Sequence, residues 1–345
     1  MKIHSFVLAG LSLAMVMGTV ARLSAESITR RTPVQTIDLG ATRPAEKTPV
    51  VSSVALSPTG RQIATAGDDH LVRIWDFEQG KVLRRLAGHG DWVRAVAFSP
   101  DGRLLATACD DRRVRVWDLS AQSPLHSIAT PKMVTRTLAF SPDGRRLAAG
   151  GFGSEIVLIR MADGQIERKL ESPGGDVRVL AFSPDGEQLA AAGRTGTIRL
   201  WSSKEHVRDL VGHRRRVRAM AYSPDGTRLA SAGDEREVRL WDTATGNHLA
   251  TLPKQSSKLL ALTFCSADIL AAGGSDNVIR IWNTRNALEA FSLEGHTGSV
   301  TALAWKPDTQ TLFSGSFDTT VRVWQLNDDT IDRVSQQRPS VPLGK

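Results

Sequence analysis

The chain of 345 residues is 41% hydrophobic and 23% charged, which excludes a compositionally disordered protein and leaves room for a substantial core in one or two domains. Lys and Arg number 44 against 36 Asp and Glu, a formal charge of +8. That surplus favours acidic partners, nucleic acid or anionic membranes, and it carries no information about fold.

At the N-terminus, Lys2 and His4 precede the uncharged apolar run FVLAGLSLAMVMGTV (6–20), which Arg22 closes. Small residues at Ala21 and Ala25 complete the pattern of an export signal, and the run is short for a stable membrane span. The competing reading is an uncleaved anchor. Residues 1–25 are therefore assigned to a signal peptide and 26–33 to a flexible segment. The expected location is outside the cytoplasm of a bacterial-type cell, periplasmic or extracellular.

Beyond this segment the chain repeats itself. VRIWD (72–76), VRVWD (114–118), IRLWS (198–202), VRLWD (238–242), IRIWN (279–283) and VRVWQ (321–325) are one motif. The double gap between Trp117 and Trp201 calls for a seventh copy centred on residue 159, where IVLIRM (156–161) carries Ile159 in place of tryptophan. Each copy holds an apolar strand ending at Ser-Pro-Asp-Gly or a variant of it, a tight turn, a second strand, a polar turn, the strand ending in WD, and a fourth strand. Pro and Gly at the second and fourth turn positions suit a type I hairpin turn. Four short antiparallel strands per 40–42 residues, repeated in series, describe the blades of an all-β propeller.

The chain closely resembles the WD40 repeat family from Val34 to Leu326. The family's Gly-His is present at Gly88-His89, Gly212-His213 and Gly295-His296, each histidine 28 residues before its tryptophan. The resemblance implies a seven-bladed propeller over 34–326 and a hydrogen-bonded tetrad inside a blade. Carried over by position, the tetrads are His89, Thr107, Asp111 and Trp117 in blade 2, His213, Ser231, Glu235 and Trp241 in blade 5, and His296, Ser314, Asp318 and Trp324 in blade 7. Glu235 departs from the family's aspartate. Blade 3 has Pro131, Ala149, Gly153 and Ile159 at these places and so no tetrad. The His/Ser/Asp sets recur within blades instead of meeting once in a cleft, so they read as structural and not as a catalytic triad. The last copy stops after its third strand, and VQTIDLG (34–40) is expected to complete blade 7, so that no edge stays open between blades 1 and 7. The polar stretch 327–345 is expected to be a flexible tail.

Cys109 and Cys265 fall in blades 2 and 6, at opposite strand ends and far apart around the ring, so no intramolecular disulfide is expected. No metal, haem, phosphate-loop or other cofactor signature is present, and no residue nominates itself as catalytic.

By the same resemblance, the first strand of each blade lines the central channel and begins at the top rim, where many family members bind partners. The rim position reads Ser52, Arg94, Arg136, Arg178, Arg218, Leu260, Thr301 around the ring. The exposed position of the turn between second and third strands reads Asp68, Asp110, Phe152, Arg194, Asp234, Ser275, Phe317. Pairing within a blade accounts for Arg94 with Asp110 and Arg218 with Asp234. It leaves Arg136 facing Phe152 and Arg178 facing Arg194, with Asp176 offsetting only part of the charge. The expected partner site is Trp92, Arg94, Arg136, Phe152, Arg178, Arg194, Arg216 and Phe317: guanidiniums to grip a carboxylate or phosphate, aromatic rings as anchors. A second series, Arg73, Arg115, Arg199, Arg239, Arg280 and Arg322, precedes each tryptophan by two residues and reads as structural. The function expected is a monomeric, non-catalytic scaffold that binds an acidic protein or peptide, with no nucleic acid, no cofactor and no stable membrane span after signal cleavage. The alternatives are an enzyme acting on an anionic substrate at the channel mouth, and a cytoplasmic or membrane-anchored scaffold.

Overall fold

The structure is a computed structural model that describes residues 29–38, 51–121, 123–202 and 206–326. Hence the expected signal peptide and C-terminal tail lie outside the described residues. Continuous runs of small and aliphatic residues such as LLATAC and QLAAAG give strands buried on both faces, and Ser-Pro-Asp-Gly closes the inner hairpin of blades 2–5. In blade 2 the Ser99 N–H donates to the Leu104 carbonyl and the Gly102 N–H to the Ser99 carbonyl, both at 2.9 Å. Gly102 has φ +72°, a conformation that glycine adopts without strain.

Seven antiparallel sheets result. Blade 1 spans 51–86, blade 2 93–129, blade 3 134–171, blade 4 177–210, blade 5 217–251 and blade 6 259–293. Blade 7 is built from Val300–Lys306, Thr311–Ser316 and Thr320–Gln325, with Gln35–Asp38 as its outermost strand. Gln35 stands opposite Val323 and Ile37 opposite Val321, so the two ends of the ring share one sheet as expected. The inner strands of neighbouring blades pack side by side, including blade 7 against blade 1, and this closes the ring.

The core lies between blades. Trp75, Trp117, Trp241, Trp282 and Trp324 are among the largest fully buried side chains, and Trp117 packs in one cluster with Val72, Ile74 and Leu86 of blade 1. Ile159 takes the tryptophan's place in blade 3 and is equally buried, beside Val114 and Val116 of blade 2. Residues Thr29–Arg31, expected to be flexible, run instead as a short strand parallel to Phe291–Leu293 at the outer edge of blade 6. Two consecutive outer edges, those of blades 6 and 7, are therefore covered by the same N-terminal stretch.

Candidate partner-binding rim

The buried polar chains differ from blade to blade. In blade 7 the Trp324 Nε1–H donates to Ser314 Oγ at 2.8 Å, His296 Nε2 meets the same hydroxyl at 2.7 Å, and His296 Nδ1 meets Asp318 at 2.8 Å. Blade 5 repeats this with Trp241, Ser231, His213 and Glu235, each step 2.8 Å, so the longer Glu235 reaches the histidine as well as aspartate does. Blade 2 joins Trp117, Thr107 and His89 in the same way, but His89 Nδ1 meets the Arg115 guanidinium at 3.0 Å, and it is Arg115 that holds Asp111 at 2.7 Å. The blade 2 chain thus runs His–Arg–Asp and not His–Asp. Burial first, and then the Arg115 charge, hold the His89 imidazole down to about 4. Burial likewise lowers His213 and His296, against the opposing pull of Glu235 and Asp318. These imidazoles are buried and neutral, and they are committed to hydrogen bonds, which suits a structural role.

His89, Cys109 and Asp111 bring three potential metal-ligand atoms within 4.8 Å of one another. The Arg115 guanidinium, bonded to both His89 and Asp111, already supplies positive charge there. Burial also pushes the Cys109 thiol up to about 11, and its S–H points to the Asp91 carbonyl at 3.0 Å. This donor set does not favour a cation. Both cysteines are buried and free.

The rim position has a backbone cause. The first strand of every blade shifts register against the second at the same place: between Val93 and Ala95, Thr135 and Thr137, Val177 and Val179, Val217 and Ala219, and so round the ring. The residue left out of the ladder is Arg94, Arg136, Arg178 or Arg218 in blades 2–5, and Leu260, Thr301 or Ser52 in blades 6, 7 and 1. It is the extra residue of a β-bulge, a device that re-aims a side chain. In blades 3–5 glycine at the end of the second strand makes room for it, whereas Cys109 stands at this place in blade 2. A Cβ added at Gly151, Gly193 or Gly233 would lie 2.0, 1.7 or 2.1 Å from the carbonyl oxygen of Val134, Asp176 or Arg216. The sequence carried this signal in GG, AAG and SAG, and only the register shows what it means.

Around the arc, Asp110 binds Arg94 through two contacts of 2.8 and 2.6 Å and also lies 3.6 Å from Arg136 of the next blade. Asp176 lies 2.8 Å from Arg178 and 3.6 Å from Arg216, again across a blade boundary. Arg218 pairs with Asp234 at 2.5 Å. Pairing is therefore not confined within blades, and Arg136, expected to face only Phe152, also shares Asp110. Burial, followed by the neighbouring Arg94 charge, lowers the Arg136 guanidinium below its ordinary value. The Nε–H groups of Arg136 and Arg216 are buried without a hydrogen-bond acceptor.

Aromatic rings organise the same groups. The Arg94 guanidinium stacks over Trp92 at 4.2 Å, and those of Arg136 and Arg178 lie over Phe152 at 4.9 and 4.7 Å. Phe152 is itself 39% exposed. Trp92, Arg94, Arg136, Phe152, Arg178 and Arg216 thus form one contiguous set, flanked by exposed Arg194 on the blade 4 turn. Phe317 is exposed on blade 7 and stands apart from it, with blade 1 between.

A seven-bladed ring of such repeats, with the polar chains inside its blades, defines a class of interaction scaffold. The WD domain, G-beta repeat family matches residues 38–76, 80–118, 164–202, 204–242, 246–283 and 289–325, and the chain belongs to it. The interval 119–163, which contains the first three strands of blade 3, lies outside those matches. Over 94 residues the chain is 37% identical to "DENN domain and WD repeat-containing protein SCD1" of Arabidopsis thaliana, covering 27% of this chain and 8% of that protein. It is 33% identical over 104 residues to "WD repeat-containing protein slp1" of Schizosaccharomyces pombe (28% and 21%), and 32% over 155 residues to "Anaphase-promoting complex subunit cdc20" of Dictyostelium discoideum (41% and 30%). The chain spans less than a third of the length of each of these relatives. Among the described residues no helix is long and apolar enough to cross a membrane.

Proposed function

We propose that this protein is a non-catalytic WD40 scaffold, exported from the cytoplasm, that holds an acidic segment of a partner protein on the arginine arc of blades 2–5. The observation that carries this reading is the two-to-one sharing of carboxylates. Asp110 and Asp176 each serve guanidiniums of two neighbouring blades, so Arg94, Arg136, Arg178 and Arg216 face two carboxylates between them. Carboxylate oxygens arriving from a partner add charge-assisted hydrogen bonds at these guanidiniums, whose side chains stay 19–29% exposed. The bulges and the stacked rings fix the guanidiniums of Arg94, Arg136 and Arg178 in advance, which lowers the ordering cost of binding. Trp92 and Phe152 offer apolar surface beside the charge, a combination enriched in interface hot spots.

The test is titration of a fluorescent polyglutamate-containing peptide against wild type and the Arg136→Gln/Arg178→Gln/Arg194→Gln variant, with thermal melts in parallel. The expected result is a loss of affinity of about 100-fold at an unchanged melting temperature. Equal affinity overturns the assignment of the rim. Export is tested separately, by N-terminal sequencing of the mature protein: a start near Glu26 supports it, and an intact Met1 rejects it.

A further inference from the structure

Blade 3 differs from the other blades outside its core as well. In six blades an arginine stands two residues before the tryptophan; in blade 3 that residue is Val157. In blades 5 and 7 this arginine runs beneath the glycine of the Gly-His pair. A Cβ added at Gly212 or Gly295 would come within 2.9 Å of Arg239 or 2.5 Å of Arg322. Blade 3 has Thr130 at the glycine position, Pro131 at the histidine position and no arginine below them. A cleft of about 100 Å³ occupies this place, with Pro131, Met133, Val157 and Ile166 as its apolar lining. Exposed Lys132 and Lys169 flank it, Lys169 3.4 Å from Glu155.

The cleft and the arginine arc share one hairpin turn. Phe152 carries the guanidiniums of Arg136 and Arg178, and Ser154, two residues on, lines the cleft. At about 3.3–3.6 Å of chain per residue, the two features are a few residues apart for an extended ligand. An apolar cavity of about 150 Å³ admits a benzene ring, so this one has room for a single aliphatic side chain.

We propose that the blade 3 cleft takes a leucine-sized side chain of the same acidic partner segment whose carboxylates lie on the arc, so that the protein recognises an acidic motif with one aliphatic residue about two to four positions away. This rests on the reading of the arc given above. The occupant is a partner segment because charge selects it: the arc lies on one side of the cleft and exposed Lys132 flanks it, while Lys169 is held by Glu155.

The experiment is a panel of short fluorescent peptides, each with two glutamates and a single leucine at varied spacing, against matched peptides with serine for leucine. The proteins are wild type, Val157→Arg, Ile166→Ser and the triple arc variant. Val157→Arg restores the residue of the other six blades, and Glu155 stands where Glu237 pairs with Arg239 at 2.7 Å in blade 5, so the fold has a precedent for it. Ile166 is an exposed outer-strand residue whose trimming leaves the core untouched and guards against misfolding of the first variant. The expected result is a leucine preference of about tenfold at one spacing, lost in Val157→Arg and reduced in Ile166→Ser, with every peptide lost in the triple variant. Were charge alone responsible, Val157→Arg, which adds a cation, would bind acidic peptides as well or better and leucine would make no difference. That outcome overturns the cleft while leaving the arc standing. Undiminished binding by the triple variant overturns both. A chain ending at Leu326 that binds the leucine peptides much more tightly than the full chain shows the cleft covered by this protein's own residues 327–345, and rejects a partner as its resident.

Discussion

The two halves of the top rim share a backbone and differ in chemistry. Every blade carries the same bulge at the start of its inner strand, yet blades 2–5 place arginine in it while blades 6, 7 and 1 place Leu260, Thr301 and Ser52. Ser52 turns its hydroxyl to the carbonyls of Ala66 and Val93, satisfying itself within the ring. Arg218 has Asp234 to itself, whereas Arg94 and Arg136 share Asp110 and Arg178 shares Asp176 with Arg216. The bulge is therefore a property of the propeller, and the arc is a feature laid on it by four side chains, in keeping with function residing in sites grafted on folds.

The sharpest way to break the comparison is to remove the space beneath a bulge. Gly193→Val sets a branched side chain where even a Cβ meets the Asp176 carbonyl at 1.7 Å, and a destabilisation of about 3 kcal/mol or more is expected in chemical denaturation. Arg178 is displaced with it, so peptide affinity falls in the fraction that still folds. A similar contrast holds inside the blades, between the polar chain of blade 7 and the apolar replacement in blade 3. Ser314→Ala strands both the Trp324 N–H and His296 Nε2 and is expected to cost about 3 kcal/mol, whereas Ala149 already fills the equivalent place in blade 3.

Acid sharpens the same contrast. His89 is lowered from 6.5 to about 4, and His213 and His296 are lowered as well, so the unfolded chain binds protons that the folded chain refuses. Their contribution to stability is complete above pH 6.5 and is lost as pH falls from 6.5 toward 4. Asp318, lowered to about 2, adds a further loss below its ordinary 3.8. Melting temperatures measured from pH 7 to pH 4 are expected to fall, and to fall less in a His89→Gln variant. The smallest effect is a gain. Trp282 Nε1 in blade 6 is buried without an acceptor because Ala272 stands where Thr65, Thr107, Ser231 and Ser314 accept this bond in other blades, at 2.8–2.9 Å. Ala272→Ser is expected to stabilise by about 1 kcal/mol, read as a higher melting temperature.

Much of this was legible in the sequence because a repeat reports its own register. Seven motifs at constant phase set the blades, and the missing fourth strand of the last copy located its replacement at Gln35–Asp38. What stayed hidden depends on contacts between blades or on very short pairing. Thr29–Arg31 is a three-residue parallel strand, too brief to show a period. The bridging of Asp110 and Asp176 across blade boundaries follows from the curvature of the ring, which one blade's pattern does not contain. Arg115, read as structural, displaces Asp111 from His89, a choice made by side-chain geometry among three adjacent polar groups.

Moving charge around the rim without changing its total tests the central claim most directly. A variant carrying Arg136→Gln and Arg178→Gln on one side, with Leu260→Arg and Thr301→Arg on the other, keeps the net charge and the bulges while transferring two guanidiniums to the opposite half. Titrated with the same acidic peptide over a range of salt concentrations, it is expected to lose about 100-fold in affinity at low salt, with its melting temperature near that of the wild type. Affinity equal to the wild type at every salt concentration would mean that overall charge attracts the peptide and that the arc of blades 2–5 is not a site.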